Sequence, residues 1–298
     1  MLGAGLVALL LLLLEPSPCS AELQMWVVDT VDTFAQGKAQ GVQVHPDSLV
    51  ILARLDADAN VALGQAVLDD FDKPVPLSDG TIDLVRGEWI SGTNRVFGKQ
   101  FTVDLGLDRA ITRVRVLAGE TALNQPEYFV RGYRLEAAAQ VSPQVWHLLA
   151  EEPENFVLNM DTRADSTWSS VDARGEAVPR QARFVRLTLI RQDQSNWVAI
   201  GEIEIFGVGY VSEGFMEGEF IPPGPVNVGR IRWQVERPER TAVELQVRGA
   251  SVGGEEESWE QLAAYTDDAF DFAGNEPATR LAYRVRMTAS APFASPAL

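Results

Sequence analysis

The chain reads as an all-β protein made of two antiparallel β-sandwiches in series. Three features predict this. Apolar and polar residues alternate with period two in many short segments, each the mark of a strand with one buried and one wet face. No stretch carries a sustained helical period. A glycine- and proline-rich interruption divides the β segments into two groups. With 298 residues and 46% apolar content, the chain can bury a core large enough for two domains.

Residues 1–21 carry targeting information rather than fold. Leu2 to Leu14 is an apolar run too short to span the ~30 Å of a bilayer as a helix, but it suits the core of a signal peptide. The small-residue site Cys19-Ser20-Ala21 follows, with cleavage expected after Ala21 and no membrane insertion afterwards. The location implied is secreted, cell-surface or periplasmic. A lipid attached to Cys19 is disfavoured by Pro18. Cys19 is the only cysteine, so the mature chain holds no disulfide and depends on its core. Cleavage takes away one acid, Glu15, and no base, moving the formal net charge from −17 to −16. Such a field repels phosphate backbones, which argues against nucleic acid as a partner.

Residues 22–59 read as a short β lead-in that packs on the main sandwich, with strands near Met25–Val28, Val42–Pro46 and Ser48–Ala53. His45, without a second ligand at metal spacing, reads as a loop residue. The main sandwich spans residues 60–208. Phe101, Val103 and Leu105 form one apolar row before Gly106 stops the strand. Val114, Val116 and Ala118 form a second row, with Arg113 and Arg115 outward. Val185, Leu187 and Leu189 make a third, and Ile203 and Ile205 a fourth. The alternation fixes the register of each strand. Residues 209–226 read as a linker that ends in Pro222-Pro-Gly-Pro225. Residues 227–298 then form a second sandwich, with apolar rows at Ile231, Trp233 and Val235, at Val243, Leu245 and Val247, and at Leu281, Tyr283, Val285 and Met287. Its last strand ends near Ala289, and Ala291–Leu298 has no strand left to pair with. The second sandwich is therefore expected to be truncated, with an open edge that another protein chain can join.

The order of several pieces points to a family. An Asp79-Gly80 loop comes first, then Trp89, Val103-Asp-Leu-Gly106, Arg183-Phe-Val-Arg-Leu187 and Gly201-Glu-Ile-Glu-Ile205. In this order the segment 60–207 resembles the discoidin domains, the coagulation factor type C modules akin to galactose-binding carbohydrate modules. The resemblance implies a galactose-binding-like jelly roll that binds glycans or cell-surface polysaccharide without catalysis. The Asp-Gly loop is longer than the family's usual spacing to its tryptophan, and the cysteine pair of animal members is absent. A bacterial type is implied. So is a structural calcium ion between Asp79 and Glu202, with Thr81 and Asp83 as further oxygen donors, which suits an ion that takes 6–8 oxygen ligands.

Ligand-binding candidates come from the ends of the strands, where a rigid scaffold presents variable side chains. The longest loop is expected between Glu151 and Arg180. It holds Trp168 with Arg163 and Asp165, a mixture able to stack on a sugar face and bond its hydroxyls, unless Trp168 folds back over the core edge. Trp197 either stands at the loop rim or caps the core. Arg95 is a further hydroxyl or carboxylate partner, or merely solvated. His147 is expected to face solvent opposite an inward Trp146 and Leu148. No nucleophile elbow, zinc-protease motif, phosphate loop or usable cysteine supports catalysis. Beside the glycan-binding reading stand a protein-binding adhesion or scaffold module and an accessory fragment of a glycoside-processing enzyme.

Overall fold

A computed structural model describes residues 9–14, 23–28, 38–44, 50–56, 58–83, 85, 87–140, 143–164, 169–171, 177–191, 196–222, 224–250 and 262–298. It is an all-β protein of antiparallel sheets. Two compact bodies emerge, one formed by Leu55–Gly209 and the other by Met1–Arg54 together with Tyr210–Leu298. In chain order, the first strands are β1 (Leu9–Leu14), β2 (Leu23–Val28), β3 (Lys38–Gln40), β4 (Val42–Val44) and β5 (Val50–Leu52).

The Leu55–Gly209 body contains β6 (Ala66–Asp69), β7 (Trp89–Ile90), β8 (Gln100–Ala118), helix α1 (Glu120–Asn124), β9 (Tyr133–Ala138), β10 (His147–Glu152), β11 (Met160–Arg163), β12 (Ser169–Val171), β13 (Ala177–Pro179), β14 (Gln181–Leu189) and β15 (Ala199–Val208). Three of these strands lie in the stretch expected to be a long loop. The organising element is β8. Where two strands separated at Gly106 were expected, one continuous strand runs through. Gly106 adopts φ +76°, and its N–H donates to Asp104 Oδ1 at 2.9 Å, so the glycine bends the strand instead of ending it. Before the bend β8 pairs with β6, while β14 follows β8 across the bend as far as Ala110. Beyond it, β8 pairs with β11 and β15. One strand thereby serves two layers, as strands do where sheets exchange partners at a corner.

The rows expected from alternation lie in the core between these layers. Phe101, Val103, Val114, Val185, Leu187, Ile203 and Ile205 are all buried. Trp89 meets the Phe101 ring edge-on, centroids 4.7 Å apart and planes at 73°, a geometry that suits the quadrupoles of both rings. On β10 the reading needs correction. His147 is exposed, but so is Leu148, at 53%, while Leu149 is buried. A register shift between Leu148 and Ala150 moves the alternation by one residue.

The other body adds β16 (Glu213–Phe220), β17 (Val226–Arg232), β18 (Thr241–Ala250), β19 (Ala269–Ala278) and β20 (Arg280–Ala289). Its sheets have the orders β19-β17-β1-β2 and β18-β20-β16-β3. Three expectations change here. First, the supposed linker contains β16, a central strand. A Cβ at Gly218 would collide with the Tyr283 ring, and Glu213 and Glu217 pair with Arg286 and Arg284 of β20. Second, the lead-in belongs to this body, because β3 pairs with β16. Third, Ala291–Leu298 does find partners. Val50 and Leu298 exchange backbone hydrogen bonds of 3.0 and 3.1 Å, and Glu236 and Ala297 exchange bonds of 2.8 and 3.0 Å. Pairings that span nearly the whole chain leave no local signature. In the full-length chain the leucine run also forms a strand, β1, between β17 and β2.

Candidate functional site

The Asp79 loop and β15 meet at a buried carboxylate. Ile203 N–H donates to Leu77 O at 2.6 Å, which lays the loop against β15. The β15–β8 ladder slips between Ile200 and Glu202. There Gly201 closes on Ile82, whose carbons a Cβ at this position would meet at 2.8 Å. A bulge of this kind re-aims the side chain that follows. Glu202, outward by simple alternation, is only 2% exposed. Its Oε1 accepts the Gly80 N–H at 3.2 Å, while its buried Oε2 has no hydrogen-bond partner. Burial, reinforced by the charges of Asp79 and Glu204, outweighs the Gly80 bond and raises the Glu202 carboxyl to about 7.

The loop closes on itself through short bonds. Asp79 Oδ1 accepts the Thr81 N–H at 3.1 Å, Thr81 Oγ1 accepts the Asp83 N–H at 3.1 Å, and Asp83 Oδ1 accepts the Val85 N–H at 2.7 Å. A Cβ at Gly87 would stand 2.7 Å from Thr81 O and 2.8 Å from Asp79 Oδ1. A carboxylate oxygen and a backbone carbonyl therefore converge where only glycine fits, in the same loop whose Gly80 bonds the orphaned Glu202 carboxylate. This donor set fits a hard cation that accepts carbonyl and carboxylate oxygens. Among the described residues no three His, Cys, Asp or Glu side chains gather at a metal-binding distance, so calcium here would draw on backbone and hydroxyl oxygens. Glu88 ties the loop to α1, accepting the Thr121 N–H at 3.0 Å and the Thr121 hydroxyl at 2.9 Å.

The aromatic rim lies where β15 begins. Trp197 is 45% exposed, so it stands at the rim and does not cap the core. Its ring lies 6.3 Å from that of Tyr128, the planes inclined by 35°. Tyr128 ends a 3-10 turn, Pro126–Tyr128, and packs beside the buried Ala118, Ala122 and Ala199. The turn carrying Arg95 adjoins Trp197 through the chain. Ser91 N–H donates to Val198 O at 2.9 Å, and Val198 N–H donates to Ser91 Oγ at 3.0 Å. Arg95 N–H then donates to Thr93 Oγ1 at 3.2 Å, and its side chain is exposed. Trp197 and Arg95 thus share one end of the sandwich.

Arg163 does not. It ends β11 opposite Arg113 of β8, whereas β15 enters beside Ala118, five residues and about 17 Å further along the strand. Arg163 lines a separate cleft of about 230 Å³ with Asp58, Thr112, Arg113 and Phe206. Asp165 and Trp168 lie outside the described residues. Tyr128 went unnoticed in the sequence because nothing in Pro126-Glu-Tyr128 announces its pairing with a tryptophan almost seventy residues later. The cleft joins residues from four distant segments and had no signal at all.

No family model matches the chain, nor does any curated protein. Among solved structures, the family 32 carbohydrate-binding module from Streptococcus pneumoniae EndoD is similar at 16% identity, with 50% of this chain and 99% of that one covered and a TM-score of 0.38. Chitosan-binding module 1 of a chitosanase/glucanase from Paenibacillus sp. IK-5 gives 16% identity, the same coverage of both chains and a TM-score of 0.36. The lectin domain of lectinolysin, solved with Lewis B antigen, gives 12% identity, 51% and 99% coverage and a TM-score of 0.35. Each match spans about half of this chain. Among the described residues no helix is long and apolar enough to cross a membrane.

Proposed function

We propose that the Leu55–Gly209 body is a discoidin-like, non-catalytic carbohydrate-binding sandwich on an exported protein, attaching it to glycans or cell-surface polysaccharide. The observation that carries this reading is the half-exposed Trp197 beside Tyr128 on a rigid strand end. Two inclined rings offer a platform for the C–H face of a sugar, and Thr93 and Arg95 of the adjoining turn offer partners for its hydroxyls. The order of motifs from Asp79 to Ile205 supports the same reading. Calcium belongs to it as a structural ion, held by Asp79, Thr81 and Glu202. When bound, it supplies positive charge to a buried carboxylate. The residues themselves fix the Asp79 loop against β15.

A glycan array probed with the full-length chain in calcium tests the proposal. Binding to at least one glycan class is expected, weakened by roughly 1–3 kcal/mol in Trp197→Ala. Unchanged affinity in that variant, with the fold intact, would remove the rim from the site. Hydrolysis of any glycan would sink the non-catalytic reading. Capture of a protein partner without glycan binding would favour the adhesion reading, for which the exposed Phe156 and Val157 speak.

A further inference from the structure

The cleft at the far end of the same body has a charge pattern of its own. Six of the eleven described arginines of this body have a carboxylate partner: Arg113 with Asp161, Arg115 with Glu204, Arg134 with Glu151, Arg183 with Asp104, Arg186 with Glu136 and Arg191 with Glu154. Arg163 has none among the described residues, although it is exposed in a chain with a surplus of acids. It also faces Arg113 directly across the β11–β8 ladder, where like charges destabilise a sheet pair. Asp161 bonds only Arg113, and the charge of Arg163 acts on it only through space. It takes Arg113 in a two-pronged grip of 2.7 and 2.5 Å, which leaves the Arg163 fork open to the cleft.

The other walls limit what can enter. Arg113 lies over the Phe206 ring at 5.3 Å, making a flat floor. Thr112 Oγ1 donates to Phe206 O at 3.3 Å and keeps its lone pairs for an incoming hydroxyl. Asp58 brings a carboxylate to the same cleft, which repels a densely anionic chain but accepts hydroxyl protons. Arg109 of β8, with its Nε and Nη1, and Arg180, whose main-chain carbonyl accepts the Ile111 N–H, carry buried side-chain nitrogens with no acceptor among the described residues. At about 230 Å³ the space is below the ~300–1,000 Å³ of sites for drug-sized ligands and suits a single sugar ring.

We propose that this cleft is a second carbohydrate site, selective for a sugar bearing one carboxylate, a uronic acid. The carboxylate is received by the Arg163 guanidinium, and ring hydroxyls are received by Asp58 and Thr112. Planar two-point recognition of a carboxylate is what the arginine fork supplies and an ammonium does not. The site is independent of the Trp197 rim.

Titration calorimetry of the full-length chain with a uronic acid trisaccharide, its carboxyl-reduced neutral counterpart and a sulfated oligosaccharide tests the proposal. The uronate is expected to bind at least tenfold more tightly than the neutral form. Arg163→Gln should remove that preference, Arg163→Lys should restore only part of it, and Trp197→Ala should leave it untouched. Arg163 is exposed, so the variants should melt as the parent does. Equal binding of uronate and neutral trisaccharide would overturn the proposal, as would unchanged affinity in Arg163→Gln. A preference for the sulfated ligand would assign the cleft to polyanions generally and overturn it too. Loss of uronate preference in Trp197→Ala would return the ligand to the rim.

Discussion

Glu202 makes a quantitative prediction for the metal-free protein. Its Oε2 is buried without a partner, and its carboxyl is raised from the ordinary 4.5 to about 7, first by burial and then by Asp79 and Glu204. The folded state therefore holds a proton that the unfolded chain releases. That contribution to stability is fully present below about pH 4.5 and is lost as pH rises through about 7. At 1.36 kcal/mol per pH unit the loss is on the order of 3 kcal/mol. Glu202→Gln keeps the shape, the neutral charge and an oxygen for the Gly80 N–H, so it should lack this dependence. With chelator present, the variant should match wild type near pH 4 and exceed it by on the order of 3 kcal/mol near pH 8. Calcium should reverse the order, because it binds the ionised carboxylate. At a thousandfold excess over its Kd it adds about 4.1 kcal/mol to wild type, more than the gap it has to close. Urea melts across this pH range, with and without calcium, provide the readout, and the other titrating groups cancel between the two proteins. Identical pH slopes in wild type and Glu202→Gln would refute the burial argument. An equal calcium shift in both would refute the ligand assignment.

Gly87→Ala should abolish any calcium-induced rise in the melting midpoint, because its Cβ would press on Thr81 O and Asp79 Oδ1. A preserved shift would remove that cradle from the site. Phe101→Ala should destabilise the Leu55–Gly209 body by about 3–5 kcal/mol, since Phe101 is fully buried against Trp89. Denaturant melts followed by tryptophan fluorescence would measure it, and a loss below about 1 kcal/mol would contradict the packing described. Removing Ala297 and Leu298 deletes a buried leucine and its backbone pairing with Val50. A loss of at least roughly 1.5–3 kcal/mol is expected in the other body, and an unchanged melt would mean that this pairing is not formed in solution.

What the sequence revealed depended on how local the cause was. The inward positions of Val185, Leu187, Leu189, Ile203 and Ile205 are set by a two-residue period, and each is buried. The same rule fails at Leu148 and Glu202, where a one-residue slip turns the following side chain over. Gly106 looked like a stop because glycine is weak in strands, but a positive φ also allows a strand to turn a corner and continue. Residues 209–226 looked like a linker because the close packing that glycine allows against a neighbouring strand cannot be told from flexibility in one dimension. At the candidate site, the order of motifs singled out Asp79, Thr81 and Glu202, Trp197 was singled out by its place just before the last strand of the sandwich, and Arg95 by its place at a strand end. Arg163 was grouped with Trp168 and Asp165 by proximity in sequence, whereas its ladder with β8 sets it opposite Arg113, away from the Trp197 rim.

The two bodies also differ in when they can form. Every strand of the Leu55–Gly209 body exists once Gly209 has been made, and its ends meet, with Leu55 N–H donating to Gly209 O at 2.8 Å. Residues before Leu55 have no such option. Their partners include β16 and the final residues, as in the bond of 2.8 Å from Leu52 N–H to Ser295 Oγ. On a ribosome the residues before Leu55 must wait for residues made after Gly209, against the usual N-terminal-first order of domain folding. The folded insert shortens that wait. By joining Leu55 to Gly209 it brings the flanks at Arg54 and Tyr210 together, replacing the closure of a long loop with that of a short one. An insertion that looks like a burden on the discontinuous body thus shortens the closure that body needs.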